Sequence, residues 1–200
     1  MAPDPDAPRG ASPALQAYVA LLLRWNRALN LVSRADEAAI WSRHVEDSRQ
    51  LAALIPAGVT RAIDLGSGAG FPGLVLAIET GIPFDLVEAD QRKAAFLREA
   101  IRVTGAPACV HAVRISHANL QPAPLVTARA LAPLPDLMDL AVPLLAPGGT
   151  CLFPKGATAS SELTAAAARW HMRVDTTPSR TGSGGVILRI SEISRVGSSS

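Results

Sequence analysis

The chain predicts an alternating α/β fold: a mainly parallel sheet flanked by helices. Three observations predict it. From residue 61 onward, short apolar runs alternate with helical patterns. Residues 64–73, DLGSGAGFPG, join an apolar run to the helix-like LVLAI through four glycines. The last two strand candidates follow one another with no helix between them, so they should pair antiparallel.

In chain order, residues 1–13 are Pro-rich, hold two aspartates and lack a hydrophobic signal region. They read as a disordered tail. Residues 14–31 place apolar side chains at 15, 18, 19, 22, 25 and 29, which is helical spacing. Residues 36–55 continue as one or two further helices, giving an N-terminal helical extension over 14–58. The core is expected over 59–191. Its strands are read at 61–65, 83–88, 108–113, 124–128, 150–153, 172–176 and 185–190. Its helices are read at 73–80, 90–104, 135–145 and 160–170. Glycine–proline turns at 81–83, 105–107 and 147–149 and a glycine–serine turn at 182–185 punctuate the pattern. Residues 192–200 end in GSSS and read as a flexible tail.

Two hundred residues suit one domain with a small appendage, and the 48% hydrophobic fraction is ample for a core. No apolar run reaches the ~20 residues that span a bilayer. A cytoplasmic, monomeric protein without a membrane partner is expected. Cys109 and Cys151 follow no metal or redox spacing and read as buried free thiols. The histidines at 44, 111, 117 and 171 are scattered, so no metal site is expected. A net charge of +2 does not announce a nucleic-acid binder. Residues 151–200 hold six basic and three acidic side chains. That excess reads first as solvated charge, with a phosphate-facing surface as the alternative.

The glycines carry the chemistry. Glycine lacks Cβ, so the backbone can take positive φ and lie directly against a ligand. The free N–H groups opening the next helix then face that ligand. Gly68, Gly70 and Gly73 satisfy GxGxxG, and Glu88 lies 20 residues after Gly68, at the end of a second apolar run. The spacing fits a dinucleotide, whose ribose the acid would bind. It fits S-adenosylmethionine (SAM) equally. Asp64 favours SAM, because a carboxylate there suits an ammonium and opposes a pyrophosphate. Pro72 removes one N–H donor and points the same way. In a doubly wound sheet the ligand lies beyond the carboxyl ends of the strands. That gathers residues 64–70, Glu88, residues 114–117 and Arg129 around one crevice.

Several segments together resemble one family. WNRALNL (25–31), HVEDS (44–48), DLGSGAGFPG (64–73), ARALAPL (128–134) and PKG (154–156) occur in the order seen in the bacterial 16S rRNA guanine-N7 methyltransferases, the glucose-inhibited-division-B family. The resemblance runs from about residue 14 to 190. It implies a Rossmann-like class I SAM-dependent methyltransferase fold, with a seven-stranded, mainly parallel sheet whose last strand is antiparallel. It implies methylation of guanine 527 of 16S rRNA, with the small ribosomal subunit or an assembly intermediate as partner. Carried over by motif, Gly66 and Phe71 contact SAM, and Gly68 and Gly70 shape the turn. Glu88 holds the ribose, Ile115 and Ser116 hold adenine, and Arg129 lies at the cleft edge. Where the family usually reads Arg-x-Glu, this chain has Arg114-Ile115-Ser116. Adenine there loses a charged acceptor, and a neutral hydrogen bond is weaker.

The chemistry suits these residues. Nitrogen 7 of guanine already carries an in-plane lone pair and needs alignment rather than a base. No (Asp/Asn)-Pro-Pro-aromatic motif for adenine methylation is present, and neither cysteine follows a proline. Arg129 and Lys155 are the candidates for positioning the reaction. His44 and Asp47, three residues apart on one helix face, serve either as a structural bond or as an RNA or cofactor contact. Trp25 and Asn26 read as packing groups. Two other functions remain open: a small-molecule methyltransferase, and a non-catalytic RNA-binding protein that retains SAM.

Overall fold

The computed structural model describes residues 7–8, 10–181 and 184–197. The first helix, α1, spans Pro13–Leu29. Ser12 caps it, accepting the Leu15 N–H at 3.2 Å, and proline occupies its first turn. It ends at Asn30 in the left-handed region (φ 48°). The Asn26 side chain accepts the Val32 N–H at 2.9 Å and fixes the exit of the chain. Four short pieces follow: α2 (Arg34–Glu37), a π-type turn (Trp41–Val45), α3 (Glu46–Arg49) and a 3-10 turn (Gln50–Leu54).

The core then alternates β1 (Ala62–Leu65), α4 (Gly73–Thr80), β2 (Phe84–Val87), α5 (Gln91–Thr104), β3 (Ala108–His111), β4 (Ala123–Ala128), α6 (Leu134–Ala141), β5 (Leu145–Lys155), α7 (Ala159–Ala167), β6 (Trp170–Pro178) and β7 (Val186–Arg195). The seven strands form one sheet in the order β3-β2-β1-β4-β5-β7-β6. β1 to β5 pair in parallel, and β7 runs antiparallel between β5 and β6. The strand order reverses between β1 and β4, which opens a crevice at their carboxyl ends.

Alternating strand residues feed two apolar clusters. Ala62, Leu125, Leu152 and Ile187 pack with α1, α4 and α5 on one face. Ile63, Val126, Phe153 and Leu188 pack with α6 and α7 on the other. Tyr18, Ile40, Trp41 and Leu51 join the first cluster, so the N-terminal helices share its core. Trp25 meets Phe96 of α5 edge-on at 5.8 Å. Among the described residues no helix is long and apolar enough to cross a membrane.

Several boundaries differ from the sequence reading. Strand β5 starts at Leu145, because residues 146–149 are a bulge and not a turn between elements. Leu145 pairs with Ala123, and Thr150 with Leu125. The helix read to 145 ends at Ala141 and gives way to a 3-10 turn holding Pro143, which lacks the N–H to continue. β7 runs to Arg195, into the segment read as a flexible tail, and residues 198–200 lie outside the described ones. Residues 1–6 and 9 of the other tail also lie outside, whereas Ser12 and Pro13 open α1. Cys151 is buried as expected, but Cys109 is exposed, since β3 is an edge strand.

Candidate functional site

β1 delivers the chain into the glycine turn at the crevice. Gly66, Gly68 and Gly70 all take positive φ, at 65°, 56° and 101°. At Gly66 the positive φ favours glycine, and a Cβ there would also push aside Leu131 Cδ1, 2.7 Å away. The Gly68 N–H donates to Glu88 Oε2 at 2.8 Å, and Asp90 N–H donates to Oε1 at 2.7 Å. Two backbone bonds therefore lock the Glu88 carboxylate at the end of β2. Each oxygen keeps a spare lone pair for a ligand. Glu88, Gly66, Gly68, Ile115 and Ser116 line a cleft of about 480 Å³ with Val113 and Leu131. Ile115 is half-buried in its wall, and Ser116 is exposed at its rim.

Phe71 anchors the next stretch. His44 stacks on it at 5.1 Å with ring planes 24° apart, and the Arg129 guanidinium lies 5.0 Å over it. Tyr18 meets it edge-on at 5.6 Å and donates its hydroxyl to the Ala69 carbonyl at 2.6 Å. Phe71, His44 and Arg129 line a recess of about 290 Å³, which shares Gly66 and Gly68 with the first cleft. His44 and Arg129 also line a wider cleft of about 670 Å³, with Asp47, Lys155, Ser179 and Thr181. The three cavities share walls and form one trough across the ends of β1, β2, β4 and β5.

The charges of the wider cleft and the recess are paired, whereas Lys93 and Arg114 line the first cleft with no ion pair among the described residues. Arg129, at the end of β4, lies 3.5 Å from Asp47 Oδ2. Burial lowers its pKa, and Asp47 partly offsets this. Asp47 Oδ1 accepts from Gln50, Ser179 and Thr181, the last at 2.7 Å, tying α3 to the β6–β7 connection. The Lys155 ammonium donates to the Ala132 carbonyl and to Glu162 Oε2, both at 2.8 Å. It braces the cleft wall rather than standing as a free cation. Burial and the nearby Arg129 push His44 down to about 4, so its imidazole is neutral.

Asp64 is placed differently from the sequence reading. It is fully buried and lines none of the three cavities. Its Oδ1 accepts the Thr127 hydroxyl at 2.6 Å, and its carboxyl lies against Gly73, where a Cβ would come within 2.4 Å of Asp64 Cβ. Burial raises it to about 6, against the lowering from Thr127. Asp64 Oδ1 thus ties β1 to β4 beneath the glycine turn, while its buried Oδ2 has no hydrogen-bond partner among the described residues. Gly70 is also structural: a Cβ there would meet Leu74 Cβ at 3.0 Å and Tyr18 Oη at 3.1 Å.

Tyr18, Thr127, Glu162, Ser179 and Thr181 escaped the sequence reading. Only Tyr18 carried a signal, as the single tyrosine of the chain. The C-terminal arginines are largely engaged: Arg169 with Asp136 and Asp139, Arg173 with Glu192, Arg195 with Asp139. Asp85, Cys109 and His111 meet on β2 and β3 with ligand atoms within 4.8 Å of one another, which linear spacing did not reveal. There Asp85 is already held by His111 at 2.7 Å and Arg61 at 3.6 Å.

The model of the family described as rRNA small subunit methyltransferase G matches residues 11–183. A curated relative from Rhodospirillum centenum, named ribosomal RNA small subunit methyltransferase G, is 59% identical over 180 residues, covering 90% of this chain and 83% of its own. One of the same name from Acidiphilium cryptum is 58% identical over 184 residues, covering 90% and 85%. Among solved structures, an O-methyltransferase from Bacillus cereus in complex with SAH superposes with a TM-score of 0.58 at 17% identity, over 88% of this chain and 90% of that one. At that identity the likeness speaks for the fold alone.

Proposed function

Because the chain belongs to the rRNA small subunit methyltransferase G family, we propose that it methylates nitrogen 7 of guanine 527 in 16S rRNA, using SAM as the methyl donor. The observation that carries this reading is the set of adjoining clefts that share wall residues. One end is a nucleoside-sized cleft with a locked carboxylate, and the other is a wider cleft, with Phe71, His44 and Arg129 between them.

The first cleft fits SAM. Glu88 has spare acceptor capacity for ribose hydroxyls, and Val113, Ile115 and Leu131 supply the apolar walls an adenine needs. Ser116 offers the hydroxyl that stands in for the family's usual carboxylate. Gly66 and Gly68 let backbone approach the ligand, and Phe71 and Arg129 bound the far end. When bound, SAM supplies an electrophilic sulfonium methyl. The protein's own part is to hold two reactants in line and to exclude water, with effective molarities up to ~10⁵–10⁸ M available from orientation. The acceptor nitrogen needs no deprotonation. The wider cleft accordingly presents paired charges and a neutral imidazole.

The extension (14–58) and the core (59–191) act as one unit, since His44 and Asp47 of the former and Arg129 of the latter line one cleft. A cytoplasmic monomer is the accompanying reading. The exposed large apolar side chains, Val103, Val113 and Val196, are scattered singly among the described residues.

The test is methyl transfer from labelled SAM to unmodified small subunits and, in parallel, to free 16S rRNA. Borohydride and aniline cleavage, selective for 7-methylguanine, then maps the site. A single cleavage at guanine 527 is expected, and the better RNA form shows when the enzyme acts. No cleavage of either RNA, despite measurable SAM binding, would overturn the reading in favour of a metabolite acceptor or a non-catalytic role.

A further inference from the structure

We propose that His44 contacts the acceptor base, its imidazole hydrogen-bonding the polar edge of the guanine that enters the wider cleft. This rests on the guanine reading above and adds a residue to it.

The argument begins with an unmet need. Among the described residues neither ring nitrogen of His44 has a hydrogen-bond partner, and both are buried. A buried donor or acceptor left unpaired bears its desolvation cost with no return. The nearest acid is Asp36, whose Oδ2 lies 3.8 Å from Nε2, beyond hydrogen-bond range. Asp36 is already engaged, by the Ser33 hydroxyl at 2.6 Å and by Arg43 at 3.1 Å. His44 is therefore not the structural half of a local pair.

Its placement says what would meet the need. The ring lines both the recess over the glycine turn and the wider cleft, so it stands where donor and acceptor sites adjoin. Stacking on Phe71 sets the position of the ring. Its side chain is 16% exposed, and with both nitrogens buried that surface is carbon. The histidine χ2 torsion is broad, and a half-turn about it exchanges each ring nitrogen with a ring carbon while keeping the stack on Phe71. The neighbouring Arg129 and Lys155 have partners of their own.

The chemistry favours a base over the cofactor. A neutral imidazole offers one donor and one acceptor. The polar edge of guanine offers an N–H beside a carbonyl oxygen, so it can meet whichever nitrogen, donor or acceptor, the ring turns toward the cleft. A carboxylate could only accept from the ring and an ammonium could only donate to it, and Arg129 and Asp47 already stand nearby for them. Neutrality also matters to the reaction. Positive charge develops on the purine as nitrogen 7 is methylated, and a second cation beside Arg129 would oppose it. Burial and Arg129 keep His44 uncharged against the pull of Asp36 and Asp47.

The test compares His44→Phe with His44→Gln. The first keeps a ring to stack on Phe71 and removes both polar atoms, and the second restores a donor and an acceptor. For His44→Phe, kcat/KM toward unmodified small subunits should fall at least about tenfold, the scale for losing a buried hydrogen bond. Its SAM affinity by calorimetry should stay within about twofold. His44→Gln should recover part of the loss. Wild-type kcat/KM in a folded His44→Phe protein would overturn the inference. A parallel loss of SAM affinity would also overturn it, by making His44 a cofactor contact. If His44→Phe does not fold, His44→Gln carries the test through a raised KM for RNA at unchanged SAM affinity, and an unchanged KM sinks the idea. A wild-type protein that methylates no ribosomal RNA would instead defeat the guanine reading itself.

Discussion

A single carboxylate, Glu88, braces the wall of the cleft proposed for the cofactor. Its two oxygens take the N–H groups of Gly68 and Asp90, and the carboxylate lines the cleft with acceptor capacity to spare. Glu88→Ala should weaken SAM binding by about 1–3 kcal/mol, the scale for losing hydrogen bonds to a charged group. Glu88→Gln should cost less, because its amide oxygen can still accept from one backbone N–H while the other bond is lost. Calorimetric titration of both variants separates the two effects, and an unchanged affinity in Glu88→Ala would remove this residue from the site. Asp64 makes the contrast. It is also an acid near the glycine turn, but it lies under Gly73 and reaches no cavity. Sequence distance from a glycine motif places a carboxylate in the neighbourhood of a ligand, whereas strand parity decides which way it points.

At the level of elements, the contact between β1 and α4 sets the turn. Gly73 opens α4 directly over Asp64. Its φ is unexceptional, so steric room and not backbone conformation demands glycine there. Gly73→Ala would press a Cβ to 2.4 Å from Asp64 Cβ and 2.7 Å from Oδ2. Overpacking of this kind costs typically ~1–3 kcal/mol, and urea unfolding should show the midpoint falling with little change in slope. A variant as stable as the wild type would mean that α4 shifts freely on β1. The strands, α1, α4 and α5 were legible in the sequence because apolar period, caps and glycine stops agreed. The start of β5 was not, because its Pro147-Gly148-Gly149 bulge carries the composition of a turn. The crevice was legible from topology. Its wiring was not: Asp47 meets Arg129 and Thr181 from 82 and 134 residues away, and no local pattern encodes such a pair. Lys155 stood at a strand end as expected, but its binding to Glu162 depends on how α7 folds back over the cleft.

Across the whole molecule, two buried groups set opposite pH dependences, and their balance is open to measurement. Folding raises Asp64 from 3.8 to about 6. The native state therefore holds this proton more tightly than the unfolded chain, and the stability gained in acid is lost as pH rises from about 4 through about 6. Folding lowers His44 from 6.5 to about 4. Its contribution is present above 6.5 and is lost as pH falls toward about 4. Each shift of roughly two units corresponds to at most about 3 kcal/mol, so in the wild type the two slopes largely cancel between about pH 4 and 6.5. Single substitutions should expose them. Asp64→Asn keeps an acceptor for Thr127 and removes the titration, leaving the His44 slope, so stability should rise with pH across that window. His44→Phe leaves the Asp64 slope, so relative to the wild type stability should fall with pH over the same range. Urea midpoints for the three proteins, measured in steps from about pH 4.5 to 7.5, distinguish the cases. One shared profile would mean that neither group titrates as its burial requires. Diverging profiles would show that the trough holds a neutral imidazole above a buried aspartate, with Arg129 acting on both.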